Sequence, residues 1–231
     1  MLLLCLDTST PQVGVAIGSD DQIIGQVQLV RPQHHAEHLA PAIEYLLDQL
    51  DLSLDQLSGI GVGIGPGLFT GLRVGVTTAK VMAQALRIPL IPVPSLDLLA
   101  FEVRYADRLV VPALDARRGE VFWSTYRQVP GGVQRLSDYE VGNPADVCAE
   151  LMARTDEVLL IGDGALRYRE EFYELERAEF GPASLSYPSA SALVELARAK
   201  FQREDFSQPR DVHPLYLRLS DAEMNWVKQA R

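Results

Sequence analysis

Four consecutive residues near the N-terminus, Asp7-Thr8-Ser9-Thr10, place a carboxylate and three hydroxyls at the end of the apolar run Leu2 to Leu6. Such a set either caps a turn by accepting backbone amide bonds or organises metal and phosphate at the mouth of a cleft. Asp7, Thr8 and Ser9 are therefore candidates for a vestigial nucleotide loop, with both readings open. Asp115 closes a second apolar run, Leu109 to Leu114, and turn capping is the preferred reading there. His34, His35 and His38 cluster near a predicted helix start, but a His34–His38 pair supplies two ligands, too few for a closed metal site. The string also lacks the His-Glu-x-x-His order of a zinc hydrolase, so a solvated helix start or a partner surface is expected. No Ser-His-Asp or Cys-His nucleophile is arguable from these residues.

The stretch Gly59 to Gly75 invites a test for phosphate binding. It contains no Gly-Lys pair, which a P-loop requires, and no start within it gives glycine at the first, third and sixth positions of a dinucleotide fingerprint. What it does contain is glycine at 59, 61, 63 and 65 alternating with Ile60, Val62 and Ile64, a strand with one apolar and one bare face. Strand glycines mark close approach of a ligand or another backbone. The following helix carries Gly71, Gly75, Ala79 and Ala83 at spacing four, a second bare stripe.

These residues need a frame to hold them. The pattern predicts strands over 2–6, 13–18 and 23–30, a helix over 39–50, a strand over 60–64, a helix over 69–86, a short strand over 90–93 and a helix over 96–105. The layout then repeats: strand 109–114, a polar turn, strand 120–126, a helix opening at Asn143-Pro144, strand 158–161, and a helix over 189–201. A loop over 204–214 leads to a tail with Tyr216, Leu217 and Trp226. Two α/β lobes with mixed sheets are expected, divided as 1–105 and 106–231.

The 231-residue chain is 47% hydrophobic, enough for a sizeable core. Its formal charge of -10 and sequence pI near 4.9 argue against a main nucleic-acid grip, which needs clustered Lys and Arg. Cys5 and Cys148 have no metal-ligand spacing and read as buried thiols. No apolar run approaches the roughly 20 residues of a membrane helix, and Asp7 interrupts the opening run too early for a signal peptide, so a cytoplasmic protein is expected.

Taken together, Asp7-Thr8-Ser9-Thr10, the string Gly65-Pro66-Gly67-Leu68-Phe69-Thr70-Gly71-Leu72-Arg73-Val74-Gly75, Asp115-Ala116-Arg117-Arg118-Gly119-Glu120-Val121 and Pro214-Leu215-Tyr216-Leu217-Arg218 resemble the TsaB (YeaZ) family in order and spacing over nearly the whole chain. The resemblance implies a two-lobed actin-like, sugar-kinase-like (ASKHA) fold. It also implies a role with the paralogue TsaD, the ATPase TsaE and the threonylcarbamoyl-AMP synthase in modifying the adenosine next to the anticodon of tRNA. In the catalytic paralogue an Asn-His-x-x-x-His metal motif follows a Gly-Ile-Pro-Leu-Ile-like strand. Here Ser95 and Leu99, after Arg87-Ile88-Pro89-Leu90-Ile91, stand where the two histidines would be. The resemblance therefore implies a non-catalytic subunit with no metal or cofactor of its own, ATP being used by the wider complex and tRNA being met through it.

The resemblance further implies that the helices over 39–50 and after Thr70 pair with their counterparts on TsaD. The expected contact residues are Leu39, Ile43, Leu46, Leu47, Leu50, Thr70, Arg73, Val74, Thr78 and Met82. The leucine face would supply apolar area and the small-residue stripe would let helices approach. The opposing reading is that both faces are consumed inside the lobe. Two other functions stay open: an ATP-dependent small-molecule phosphotransferase using Asp7, Thr8 and Gly162 to Ala165, and a homodimer formed through the same helices.

Overall fold

The computed structural model describes residues 1–31 and 34–218; Trp226 of the expected tail lies outside them. The first sheet is built from β1 (Leu3–Asp7), β2 (Gln12–Gly18), β3 (Ile23–Val30), β4 (Gly59–Gly63) and β5 (Leu90–Val93), in the order β3-β2-β1-β4-β5. β1, β2 and β3 are antiparallel, whereas β4 and β5 run parallel to β1. The second sheet repeats this plan with β6 (Leu109–Arg117), β7 (Glu120–Trp123), β8 (Tyr126–Val129), β9 (Gly132–Arg135), β10 (Glu140–Gly142), β11 (Val158–Ile161) and β12 (Ala178–Phe180). Its main order is β10-β7-β6-β11-β12, with the β8–β9 hairpin joined to β6. An antiparallel hairpin, β1–β2 or β6–β7, is thus flanked in each sheet by a parallel strand, β4 or β11.

The predicted continuous strand over 120–126 is broken. Ser124 and Thr125 leave the ladder because Ser137 binds them: Ser124 Oγ donates to the Ser137 carbonyl at 3.0 Å and the Thr125 amide donates to Ser137 Oγ at 3.0 Å. The chain bends there and continues as β8, and α4 (Pro144–Met152) follows β10.

Period-two alternation sorts the first sheet's side chains onto two faces. Leu4, Leu6, Ile60 and Val62 face α1 (His35–Gln49) and α2 (Phe69–Leu86), whose Leu39, Ile43, Leu46, Leu47, Val76, Ala79 and Ala83 complete that core. Leu3 and Cys5 face the opposite way, toward α6 (Ala190–Gln202). The bare face of β4 lies on this second side. A Cβ on Gly59 would stand 3.1 Å from Phe201, and one on Gly61 would stand 2.5 Å from Cys5 Sγ and 3.1 Å from the Ala197 Cβ. Ala190 and Val194 lie over Gly14 and Gly18 in the same manner. One stripe of α6 therefore beds into glycines, letting the helix approach closely. Cys5 is fully buried, and burial pushes its thiol up to about 12.

The strands of the first sheet end at Val93 and those of the second begin at Leu109. The chain nonetheless returns to the first lobe after Pro188, whose carbonyl accepts from Gln12 Nε2 at 2.9 Å, and α6 packs on β1, β2, β4 and β5. The lobes meet at α3 (Ser95–Glu102), where Leu96, Leu99 and Ala100 pack with Val110, Leu114, Phe122, Tyr126 and Ile161. Asp97 on that helix accepts hydrogen bonds from Tyr126 at 2.7 Å and Tyr139 at 2.8 Å, a polar pin through the seam.

Because α6 beds into glycines, Gly61→Val forces side-chain atoms into Cys5 and Ala197. We expect a loss of about 1–3 kcal/mol in urea unfolding without change of secondary structure; unaltered stability contradicts the bedding account.

Candidate functional site

Asp7 ends β1 with its side chain buried. Oδ1 accepts the Ser9 amide at 2.9 Å and the Ser9 hydroxyl at 2.7 Å, while Oδ2 accepts the Ser95 hydroxyl at 2.9 Å. Ser95 Oγ in turn accepts the Gly65 amide at 3.1 Å. Burial pushes the Asp7 carboxyl above its ordinary range against the pull of these donors. The rest of the turn is equally engaged. Thr8 Oγ1 donates to the Gly71 carbonyl at 2.7 Å, Leu68 N donates to the Ser9 carbonyl at 2.7 Å, and His35 Nε2 donates to the Thr10 carbonyl at 2.7 Å. His35 is thus a buried positioning residue, while His34 makes an exposed 2.9 Å contact to Glu37. Among the described residues no group of three or more His, Cys, Asp or Glu could hold a metal.

Asp115 occupies the matching place at the end of β6. Its Oδ1 accepts the Arg117 amide at 2.9 Å, two residues on, as Asp7 accepts Ser9. Tyr168 donates to the same oxygen at 3.1 Å, and Oδ2 lies 3.4 Å from Arg117 and 3.7 Å from Arg167. Asp163 opens the short helix α5 (Asp163–Arg167) and accepts the Asp115 amide at 3.0 Å. Burial pushes Asp163 up to about 6. Gly162 and Asp163 spend their own amides on the carbonyls of Leu185 and Ser186. Both hairpin turns are therefore closed by an Asp bonding its own backbone two residues ahead.

The helices expected to meet a partner divide by side. Leu39, Ile43, Leu46 and Leu47 are buried in the first lobe's core, and Leu50 is half-buried against it, so the leucine face of α1 is consumed internally. The small stripe of α2 is likewise internal: a Cβ on Gly71 or Gly75 would collide with Thr8. α2 turns outward Thr70, Arg73, Thr77, Val81, Gln84 and Ala85, with Val74, Thr78 and Met82 half-buried beside them. The outward residues of α1 include Glu44, Tyr45 and Asp48. The role of Ser95 as the partner of Asp7 was not visible in sequence, because 88 residues separate them.

Asp163 gives a test of this geometry. Its carboxyl titrates near 4 when unfolded and at about 6 when folded, so the folded state binds the extra proton in between and stability falls as pH rises through that window. Asp163→Asn keeps an oxygen for the Asp115 amide but cannot ionise. It should gain roughly 1–3 kcal/mol relative to the parent between about pH 4 and pH 7 in denaturant titrations; parallel profiles contradict the assignment.

Comparison with known proteins agrees with this architecture. A family model described as "TsaD: tRNA N6-adenosine threonylcarbamoyltransferase" matches residues 22–226. The chain is 32% identical to the tRNA threonylcarbamoyladenosine biosynthesis protein TsaB of Bacillus subtilis (strain 168), covering all of both chains. The solved structure of YeaZ from Pseudomonas aeruginosa superposes with a TM-score of 0.79 at 29% identity, over 93% of this chain and all of that one. The ROK hexokinase of Thermus thermophilus, at 13% identity and a TM-score of 0.50 over 85% of this chain and all of that one, shares the fold alone. The two-lobed sugar-kinase-like fold is thus shared with a hexokinase, and a shared fold does not by itself carry a shared activity. The chain belongs to the family of the matching model and, within it, to the TsaB (YeaZ) proteins of tRNA threonylcarbamoyladenosine biosynthesis.

Proposed function

We propose that this chain is a non-catalytic cytoplasmic subunit that binds TsaD, with TsaE in the same assembly, and enables threonylcarbamoyl transfer to the adenosine beside the anticodon. The observation that carries this reading is the outward stripe of α2. Val81 is 61% exposed there and Tyr45 on the neighbouring α1 is 57% exposed, two large apolar side chains left on the surface of helices whose other faces are fully packed. Exposed aromatic and aliphatic anchors of this kind suit a helix-on-helix interface. Glu44 and Asp48 on α1 favour basic groups opposite them on the partner.

The chemistry of the Asp7 turn supports a non-catalytic role. Ser95 Oγ is committed to Asp7 and Gly65, and Leu99 is buried in the seam between lobes, so neither position supplies a metal donor set. Asp7 has its oxygens engaged by Ser9 and Ser95, and Thr8 has its hydroxyl engaged by Gly71. With a net charge of -10, the chain meets tRNA through the assembly rather than gripping it alone.

Val81→Arg places a charge on the stripe without touching the core. It should leave the melting temperature nearly unchanged and weaken binding to purified TsaD by about tenfold or more, roughly 1.4 kcal/mol, in titration calorimetry. Undiminished affinity argues against this face. Leu46→Ala, in contrast, should cost about 2–5 kcal/mol of stability.

A further inference from the structure

The segment 212–218 touches both lobes. Val212 is buried in the first lobe's core, and Lys80 Nζ donates to its carbonyl at 2.8 Å. The Leu215 amide donates to the Ile64 carbonyl at 2.7 Å, just before the Gly65-Pro66-Gly67 turn. Tyr216 then lays its ring 5.0 Å from that of Phe69, and its hydroxyl accepts from Arg73 Nε at 3.2 Å. The Arg73 guanidinium lies 3.9 Å above the Phe69 ring, completing a three-residue stack over the first turn of α2. Leu217 packs against the seam cluster, and Arg218 reaches the second lobe, pairing with Glu120 and donating to the Ala116 carbonyl at 2.7 Å.

We infer that residues 212–218 form a clasp that holds the two lobes closed, and that a partner docking on the outer face of α2 releases it. The anchors at the two ends are unequal. In the first lobe they are the buried Val212 side chain, the Lys80 bond to its carbonyl and the Leu215–Ile64 backbone bond, whereas in the second they are the half-buried Leu217, one bond from Arg218 to the Ala116 carbonyl and the Arg218–Glu120 ion pair, whose side chains are 21% and 37% exposed. Partly exposed pairs are weaker and more easily exchanged than buried contacts. The second-lobe end is therefore the one that lets go. Tyr216 supplies the coupling. It occupies Arg73, which faces outward on the stripe proposed to receive the partner, so a partner taking Arg73 competes with the seat of the clasp. The seam around Leu96 and Leu99 and the bonds from Tyr126 and Tyr139 to Asp97 remain when the clasp opens, leaving a hinge between the lobes. Linkage then requires reciprocity: partner binding favours the open state, and weakening the clasp tightens partner binding.

The coupling rests on the proposed partner face, whereas the clasp itself does not, and the test separates them. Spin labels at Gln26→Cys and Glu150→Cys, exposed positions in the two lobes, report their separation in the full chain while Cys5 and Cys148 are buried. In the absence of any partner, Arg218→Ala combined with Glu120→Gln should lengthen or broaden the distance distribution with the circular dichroism spectrum unchanged. An unchanged distribution overturns the clasp. Adding purified TsaD to the labelled parent should shift the distribution in the same direction, and Arg218→Ala, which lies off α2, should raise affinity about 3–10-fold. Binding without a shift, or with equal or lower affinity for Arg218→Ala, overturns the coupling. Failure of the parent to bind TsaD at all would instead refute the partner reading, leaving the clasp to stand or fall on the first arm.

Discussion

A carboxylate buried like that of Asp7 is tolerated only where its oxygens are satisfied and its neighbours leave room. Here Ser9 and Ser95 satisfy it, and Gly63 leaves room, since a Cβ at that position would overlap the carboxylate itself. This one arrangement ties together the β1–β2 turn, the end of β4, the Gly65–Gly67 turn and the start of α3. Thr8 extends it to α2, where Gly71 and Gly75 admit the Thr8 carbonyl and hydroxyl. The elements that carry the outer face of α2 are thus placed by a buried polar knot. That knot engages the Asp7 carboxylate and the hydroxyls of Thr8, Ser9 and Ser95.

Much of the frame was legible in sequence because it rests on periodicity. The alternation of Ile60, Val62 and the glycines gave β4 and its two faces, and the polar turns after Asp7 and Asp115 gave the duplicated hairpins. The pattern could not say what fills a bare face. The glycines over 59–75 mark close approach of a ligand or another backbone, and the occupants include Phe201, Ala197, Asp7 and Thr8 of the same chain. The helix over 189–201 was legible, but only the folded chain pairs Ala190, Val194, Ala197 and Phe201 with glycines far away in sequence. Likewise the apolar face of α1 looked available until the core claimed Leu39, Ile43, Leu46 and Leu47. Outer residues such as Val81 and Tyr45 break the polar pattern singly, a signal too weak to choose an interface from spacing alone.

The two lobes carry the same turn with different surroundings. Asp7 is sealed by hydroxyls and glycine, whereas Asp115 keeps two arginines and a tyrosine about it and has the half-buried Asp163 at its back. Both carboxylates are engaged within their own turns, Asp7 by Ser9 and Ser95 and Asp115 by Arg117 and Tyr168. The lobes are joined at the α3 seam and along residues 212–218, and the proposed partner role and clasp both depend on those two contacts.

The most direct measurement is tRNA modification reconstituted from purified threonylcarbamoyl-AMP synthase, TsaD and TsaE, with and without this chain. The account predicts modified adenosine only when the chain is present, and no modification by the chain alone. Full modification in its absence, or ATP turnover by the chain by itself, would contradict it.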